Sequence, residues 1–189
     1  MSLRKIPIYL LGSLMAFVML GGFGWYVKKA FRQSLDGACL DMKPDARLSI
    51  ELPKFRMKDL QGQWVSKSDL QGKTLLLHFF ASWCLPCLEE MPHIAALSSA
   101  MSSKKDSFRI VVIGEDEDIK ALAQFFPGKT DFIVLYDEDH QLQRHFRVER
   151  FPETFLVDEN SILRYQFKGP RLSWSFAEAK RCVLSVGGQ

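Results

Sequence analysis

The sequence predicts an α/β fold: a mixed sheet flanked by helices on both faces, with an N-terminal hairpin and one transmembrane helix. Three observations predict it. Short apolar runs of strand character alternate with stretches of helical spacing through the middle of the chain. A hairpin followed by an amphipathic helix closes the sequence. An uncharged run of 22 residues, 6–27, stands near its start.

The apolar run comes first in the chain. As a helix it reaches about 33 Å at about 1.5 Å per residue, enough to cross a hydrocarbon core of about 30 Å. Arg4 and Lys5 precede it, and Lys28, Lys29 and Arg32 follow it. Tyr9, Trp25 and Tyr26 lie near its ends, where amphipathic rings prefer to sit. A cleaved signal peptide is the competing reading, since Gly22-Phe23-Gly24 loosely resembles a cleavage site. The run is longer than a signal peptide's apolar core of about 7–15 residues, and bulky Trp25 and basic Lys28-Lys29 follow directly. Residues 1–32 therefore read as a membrane anchor. Basic residues on its two sides nearly balance, so charge alone does not orient it.

Residues 33–53 are mixed and polar, with Gly37, Pro44 and Pro53, and read as a linker. The folded domain is expected over 54–189. Phe55-Arg56-Met57-Lys58 alternates, and Gln61-Gly62 turns the chain toward Trp64-Val65, a short hairpin. Residues 74–80 are apolar except for His78, which predicts a buried central strand. Residues 85–101 have helical spacing, with Pro92 inside as an expected kink. Residues 108–113 predict a second buried strand ended by Gly114. A helix over 118–126 stops at Pro127-Gly128. Residues 132–135 are strand-like, and 141–146 form a short helix. Strands over 154–157 and 162–167 flank an Asp158-Glu159-Asn160 turn. Residues 174–186 predict a closing helix with Phe176, Ala179, Val183 and Val186 on one face.

Composition narrows the function. Hydrophobic residues make up 47% and charged residues 25% of 189, which excludes a disordered or collagen-like chain. The net charge of +3 owes much to residues flanking the apolar run, so it carries no nucleic-acid signal. Four cysteines are too few for a disulfide scaffold. Two of them form Ala81-Ser82-Trp83-Cys84-Leu85-Pro86-Cys87, directly after the buried strand and at the start of a helix. A helix start carries partial positive charge and free N–H groups, which stabilise a thiolate. Cys84 is then the attacking thiol, and Cys87 resolves the mixed disulfide. Zinc needs about four ligands. Cys39 and Cys182 are isolated, and His78, His93, His140 and His145 form no zinc-like pair with them. No metal and no cofactor are expected. Cys39 and Cys182 could pair in an oxidising compartment, but the sequence fixes no distance between them, and free thiols are the expected state.

The residues Phe79-Phe80-Ala81-Ser82-Trp83-Cys84-Leu85-Pro86-Cys87, then Glu90 and Pro92, carry a family resemblance. So does the block Phe151-Pro152-Glu153-Thr154-Phe155-Leu156-Val157-Asp158. Over about residues 55–186 the chain resembles the thioredoxin superfamily, in its membrane-anchored TlpA, ResA and DsbE (CcmG) branch. The resemblance implies a thioredoxin-like mixed sheet with residues 114–130 as a central insertion. It implies that Pro152 is a cis-proline beside the reactive pair. The backbone of Phe151 would then face an incoming partner near Trp83. It also matches Glu90 to an acid/base near the cysteines, with a solvated helix face and neighbouring Glu89 as competing readings. One departure stands out. Where thioredoxin has a buried aspartate, this chain has His78, which reads as a core residue or a proton-transfer group.

The expected function is extracytoplasmic thiol–disulfide exchange at a bacterial inner membrane, with one pass and the domain facing the periplasm or extracellular side. The expected direction is reduction of protein disulfides such as those of apocytochrome c. The partners are protein dithiols or disulfides and a membrane electron donor, with no nucleic acid. A DsbA-like oxidase and a non-catalytic binding module are the alternatives. A peroxidase of peroxiredoxin type is disfavoured, because it needs threonine where Ala81 stands.

Overall fold

A computed structural model describes residues 39–187, Asp41 aside. The anchor segment lies outside the described residues. Among those described, no helix is long and apolar enough to cross a membrane.

The main sheet has six strands in the order β1-β8-β7-β4-β5-β6. They are β1 Ala46–Glu51, β4 Thr74–Phe80, β5 Phe108–Gly114, β6 Ile133–Tyr136, β7 Glu153–Val157 and β8 Ile162–Lys168. Strands β4, β5 and β6 run parallel, while β7, β8 and β1 extend the other side antiparallel. Parallel neighbours need crossovers. Helix α1, Leu85–Ala100, links β4 to β5, and α2, Ile119–Phe125, links β5 to β6. The latter lies in the stretch matched to a central insertion. Helices α3, Gln141–Phe146, and α4, Ala177–Val186, follow later in the chain. A separate two-stranded sheet pairs β2, Arg56–Lys58, with β3, Trp64–Ser66. Its turn is held by Asp59, whose carboxylate accepts the amides of Gln61 and Gln63, and by Gly62 at φ +79°.

All seven residues of β4 are buried, and their alternation builds two cores. Leu76 and Phe80 join Ile94, Leu97, Trp174 and Val183 on the α1/α4 face. Leu75, Leu77 and Phe79 join Phe55, Met57, Leu142 and Phe155 on the other. Gly114 ends β5 under α2. A Cβ there would stand 2.3 Å from a methyl of Leu122, so glycine lets that side chain pack down on the strand.

Three expectations need correction. The stretch read as linker contains β1, which pairs antiparallel with β8. Its alternation, Leu48 and Ile50 between Arg47, Ser49 and Glu51, is that of a mostly exposed edge strand and stands out little from a polar linker. The closing helix is two pieces, a 3-10 turn at Leu172–Ser175 and α4. Phe176 precedes α4 and is exposed instead of lying on its buried face. Cys39 and Cys182 are not free thiols: they are bonded to each other, with Cα atoms 4.3 Å apart. Both are fully buried. Their separation of 143 residues hides this proximity from any local reading.

Candidate active site

The site is built where β4 ends. After Phe80 the chain turns through Ala81, Ser82 and Trp83, and Cys84 becomes the N-cap of α1. Its sulfur accepts the Cys87 amide at 3.2 Å. Pro86 sits in the first turn, where its missing N–H leaves no gap in the helix ladder. Cys87 therefore lies inside the first turn. The two cysteines are disulfide-bonded. Cys84 retains 6% exposure and Cys87 none, so an incoming group meets Cys84 first.

Sheet register brings the second block alongside. Phe79 pairs with Glu153 and His78 with Thr154. Continuing that pairing places Phe151 and Pro152 beside the loop that carries Cys84. The Phe151–Pro152 bond is cis. Trp83, 66% exposed, meets the half-buried Phe151 ring edge-on, with centroids 5.7 Å apart. Leu85 is exposed on the other side of Cys84. The disulfide thus lies under a rim of exposed apolar side chains.

Glu90 and Glu89 separate clearly. Glu89 is exposed, whereas Glu90 is fully buried one turn beyond Cys87, on the same side of α1. The Trp174 indole N–H donates to Glu90 Oε1. Glu90 Oε2 is buried with no hydrogen-bond partner among the described residues. Burial pushes the Glu90 carboxyl up to about 7, against the lowering pull of the Trp174 bond and of the Arg171 amide and charge. An acid poised near neutrality can either hold or take a proton at working pH.

His78 is also fully buried, and burial drives it down to about 3, so it is neutral. Its Nδ1 is paired with Thr154 Oγ1 at 2.9 Å. That favours the core reading over proton transfer.

Sequence reasoning missed Asp116, Trp174 and Arg171. Asp116 accepts both the amide and the hydroxyl of Ser82, two residues before Cys84, and so pins the redox loop. The available signal was topological: residues following parallel neighbours β4 and β5 meet at the same end of the sheet. Trp174 and Arg171 gave no local signal, being about eighty residues from the helix they serve. Next to Asp116, burial first and then Asp137 raise Glu115 to about 9, and Glu115 shares a 2.7 Å contact with His140. No group of three or more His, Cys, Asp or Glu among the described residues is arranged to hold a metal.

The raised Glu90 has a measurable consequence in the oxidised chain, where neither bonded cysteine titrates. Below its ordinary value of 4.5, Glu90 is protonated both folded and unfolded, and imposes no pH dependence. Between 4.5 and about 7 the unfolded chain releases a proton that the folded chain keeps, so stability falls as pH rises. The loss is complete above the folded value and amounts to roughly 3 kcal/mol. Glu90→Gln lacks this titration. The unfolding free energy of the variant, from denaturant titration, should therefore gain on that of the parent between pH 5 and pH 8 by most of that amount. Parallel curves for the two proteins would contradict the raised value.

Comparison with known proteins places this geometry. The Redoxin family matches residues 49–181. The thiol-disulfide oxidoreductase ResA of Bacillus subtilis (strain 168) is 31% identical over 109 residues, spanning 57% of this chain and 60% of that protein. ResA of Bacillus thuringiensis subsp. konkukian (strain 97-27) is 29% identical over 120 residues, spanning 63% and 68%. Among solved structures, a thiol:disulfide interchange protein of the thioredoxin family from Chlorobium tepidum TLS superposes with a TM-score of 0.62. It is 24% identical, over 76% of this chain and 99% of that one. With a Cys-x-x-Cys disulfide at the head of a helix, a cis-proline beside it and these relatives, the chain belongs to the Redoxin family, in the TlpA/ResA/DsbE-like branch of the thioredoxin superfamily, and is a thiol–disulfide oxidoreductase.

Proposed function

We propose that the chain reduces protein disulfides on the outer side of a bacterial cytoplasmic membrane, held there by residues 6–27, with apocytochrome c cysteines among its substrates. The observation that carries the reading is the Cys84–Cys87 pair at the head of α1 with buried Glu90 one turn further on. In the reduced enzyme the Cys84 thiolate attacks a sulfur of the substrate disulfide. One substrate sulfur leaves as thiolate, and a mixed disulfide with Cys84 forms. Glu90 takes the proton of the Cys87 thiol, and the resulting thiolate attacks Cys84 Sγ. The second substrate sulfur leaves as thiolate, the two substrate thiolates take up protons from Glu90 and from water to give a dithiol, and the enzyme is left as the Cys84–Cys87 disulfide. A membrane donor of two electrons restores the reduced pair. Trp83 and Phe151 contact the substrate beside Cys84, and Pro152 shapes that edge. The buried Cys39–Cys182 disulfide supports an oxidising compartment.

One experiment tests direction and location together. Membranes from cells making the full chain are washed with alkaline carbonate, and the retained protein is titrated in redox buffers. The expected result is retention and a potential near that of thioredoxin, about −270 mV, far from about −120 mV for DsbA. Loss of the chain in the wash overturns the anchor. A potential near the DsbA value replaces the reductant with an oxidase.

A further inference from the structure

We propose that Trp174 is the positioning residue for Glu90: its indole N–H occupies Oε1 and so confines the exchangeable proton to Oε2. The inference rests on the reading that Glu90 exchanges a proton with Cys87. An indole nitrogen donates and cannot accept. Oε1 must therefore serve as acceptor whether Glu90 is neutral or ionised. The proton of the neutral acid is left for Oε2, the oxygen with no other partner among the described residues.

The indole is held firmly enough for this task. Trp174 is fully buried. The Phe167 ring meets it edge-on at 5.2 Å. Its 3-10 turn is tied to α1 a second time, through Ser175 Oγ and His93 Nδ1 at 2.9 Å. Arg171, one turn earlier, lies over the Phe167 ring at 5.1 Å and donates to the Met42 carbonyl and to Asp45. Besides Glu90, the ionisable or charged groups brought together here are Arg171, Asp45, His93 and, once the Cys84–Cys87 bond is open, the Cys87 thiol. A tryptophan kept only for volume would need none of this alignment, since a phenyl ring could fill much of the same space.

The test uses the full chain. Trp174→Phe keeps an aromatic ring and removes the N–H. The rate at which Cys87 resolves the transient mixed disulfide on Cys84, formed by rapid mixing of the reduced chain with a disulfide substrate, is followed against pH. The titration belonging to Glu90 is the one that disappears in Glu90→Gln. Losing a hydrogen bond that favours the carboxylate should raise its midpoint by about one pH unit in Trp174→Phe. The Trp174→Phe/Glu90→Gln double variant should match Glu90→Gln alone. The infrared carbonyl band of neutral Glu90 should move to higher wavenumber with Trp174→Phe. An unmoved midpoint and band, with Glu90→Gln still abolishing the titration, overturns the role of Trp174. If Glu90→Gln leaves the profile unchanged, the Glu90 reading itself fails. Should Trp174→Phe fail to fold, benzothienylalanine placed at 174 keeps the bicyclic shape without the N–H, and the same shifts decide the question.

Discussion

Cys84→Ser in the full chain is expected to abolish disulfide exchange, with a loss on the order of a thousandfold or more, since it removes the nucleophile itself. Cys87→Ala is expected to behave differently. The first attack survives, the resolving thiol is gone, and substrate accumulates as a mixed disulfide on Cys84. The asymmetry follows from position. Cys84 caps α1 with its sulfur facing a helical amide, and it keeps the pair's only exposure. The helix dipole favours its thiolate. Alkylation of the reduced protein at mildly acidic pH should label Cys84 first. Faster labelling of Cys87, or trapping by Cys84→Ser instead of Cys87→Ala, would reverse the two roles.

The second large effect concerns stability. Replacing both Cys39 and Cys182 with alanine should destabilise the domain by about 5 kcal/mol in the chain-entropy account for a loop of this span, with about 2–5 kcal/mol typical of native disulfides. Exchange activity should persist in the double variant at temperatures where it remains folded, because neither residue belongs to the redox pair. The single variants should fare no better, since each leaves a thiol buried without its partner. Denaturant unfolding checks the first point, and turnover measured well below the melting temperature checks the second. Unchanged stability would show that packing alone holds this segment to α4.

Legibility in the sequence followed the range of the interactions. β4 was readable because burial on both faces leaves a nearly unbroken apolar run, and Cys84 and Cys87 because helix-start chemistry is local. α3 was readable from local spacing and falls at 141–146. β1 was not, because an edge strand with one lightly covered face needs little hydrophobicity, and its sequence resembles a polar linker. Glu90 was visible as an acid on the right turn of α1. Its burial was not, because Trp174 and Arg171 approach from the other end of the chain. Asp116 falls between these cases. Its role follows from strand order, which the alternation of strands and helices suggests without fixing. The Cys39–Cys182 pairing depends entirely on tertiary proximity, and spacing offers no handle on it.

That same bond changes the connectivity of the molecule. Cys39 and Cys182 lie near the two ends of the described domain, so the covalent ring they close contains every strand and the first three helices. Cutting one backbone bond in a ring opens it without dividing it. Cleavage in the exposed 127–129 stretch would leave β1, β4 and β5 on one polypeptide and β6, β7 and β8 on the other, interleaved in the sheet and joined at one cystine. The nicked domain would remain a single covalent body until a reductant reached a bond that the fold keeps fully out of solvent.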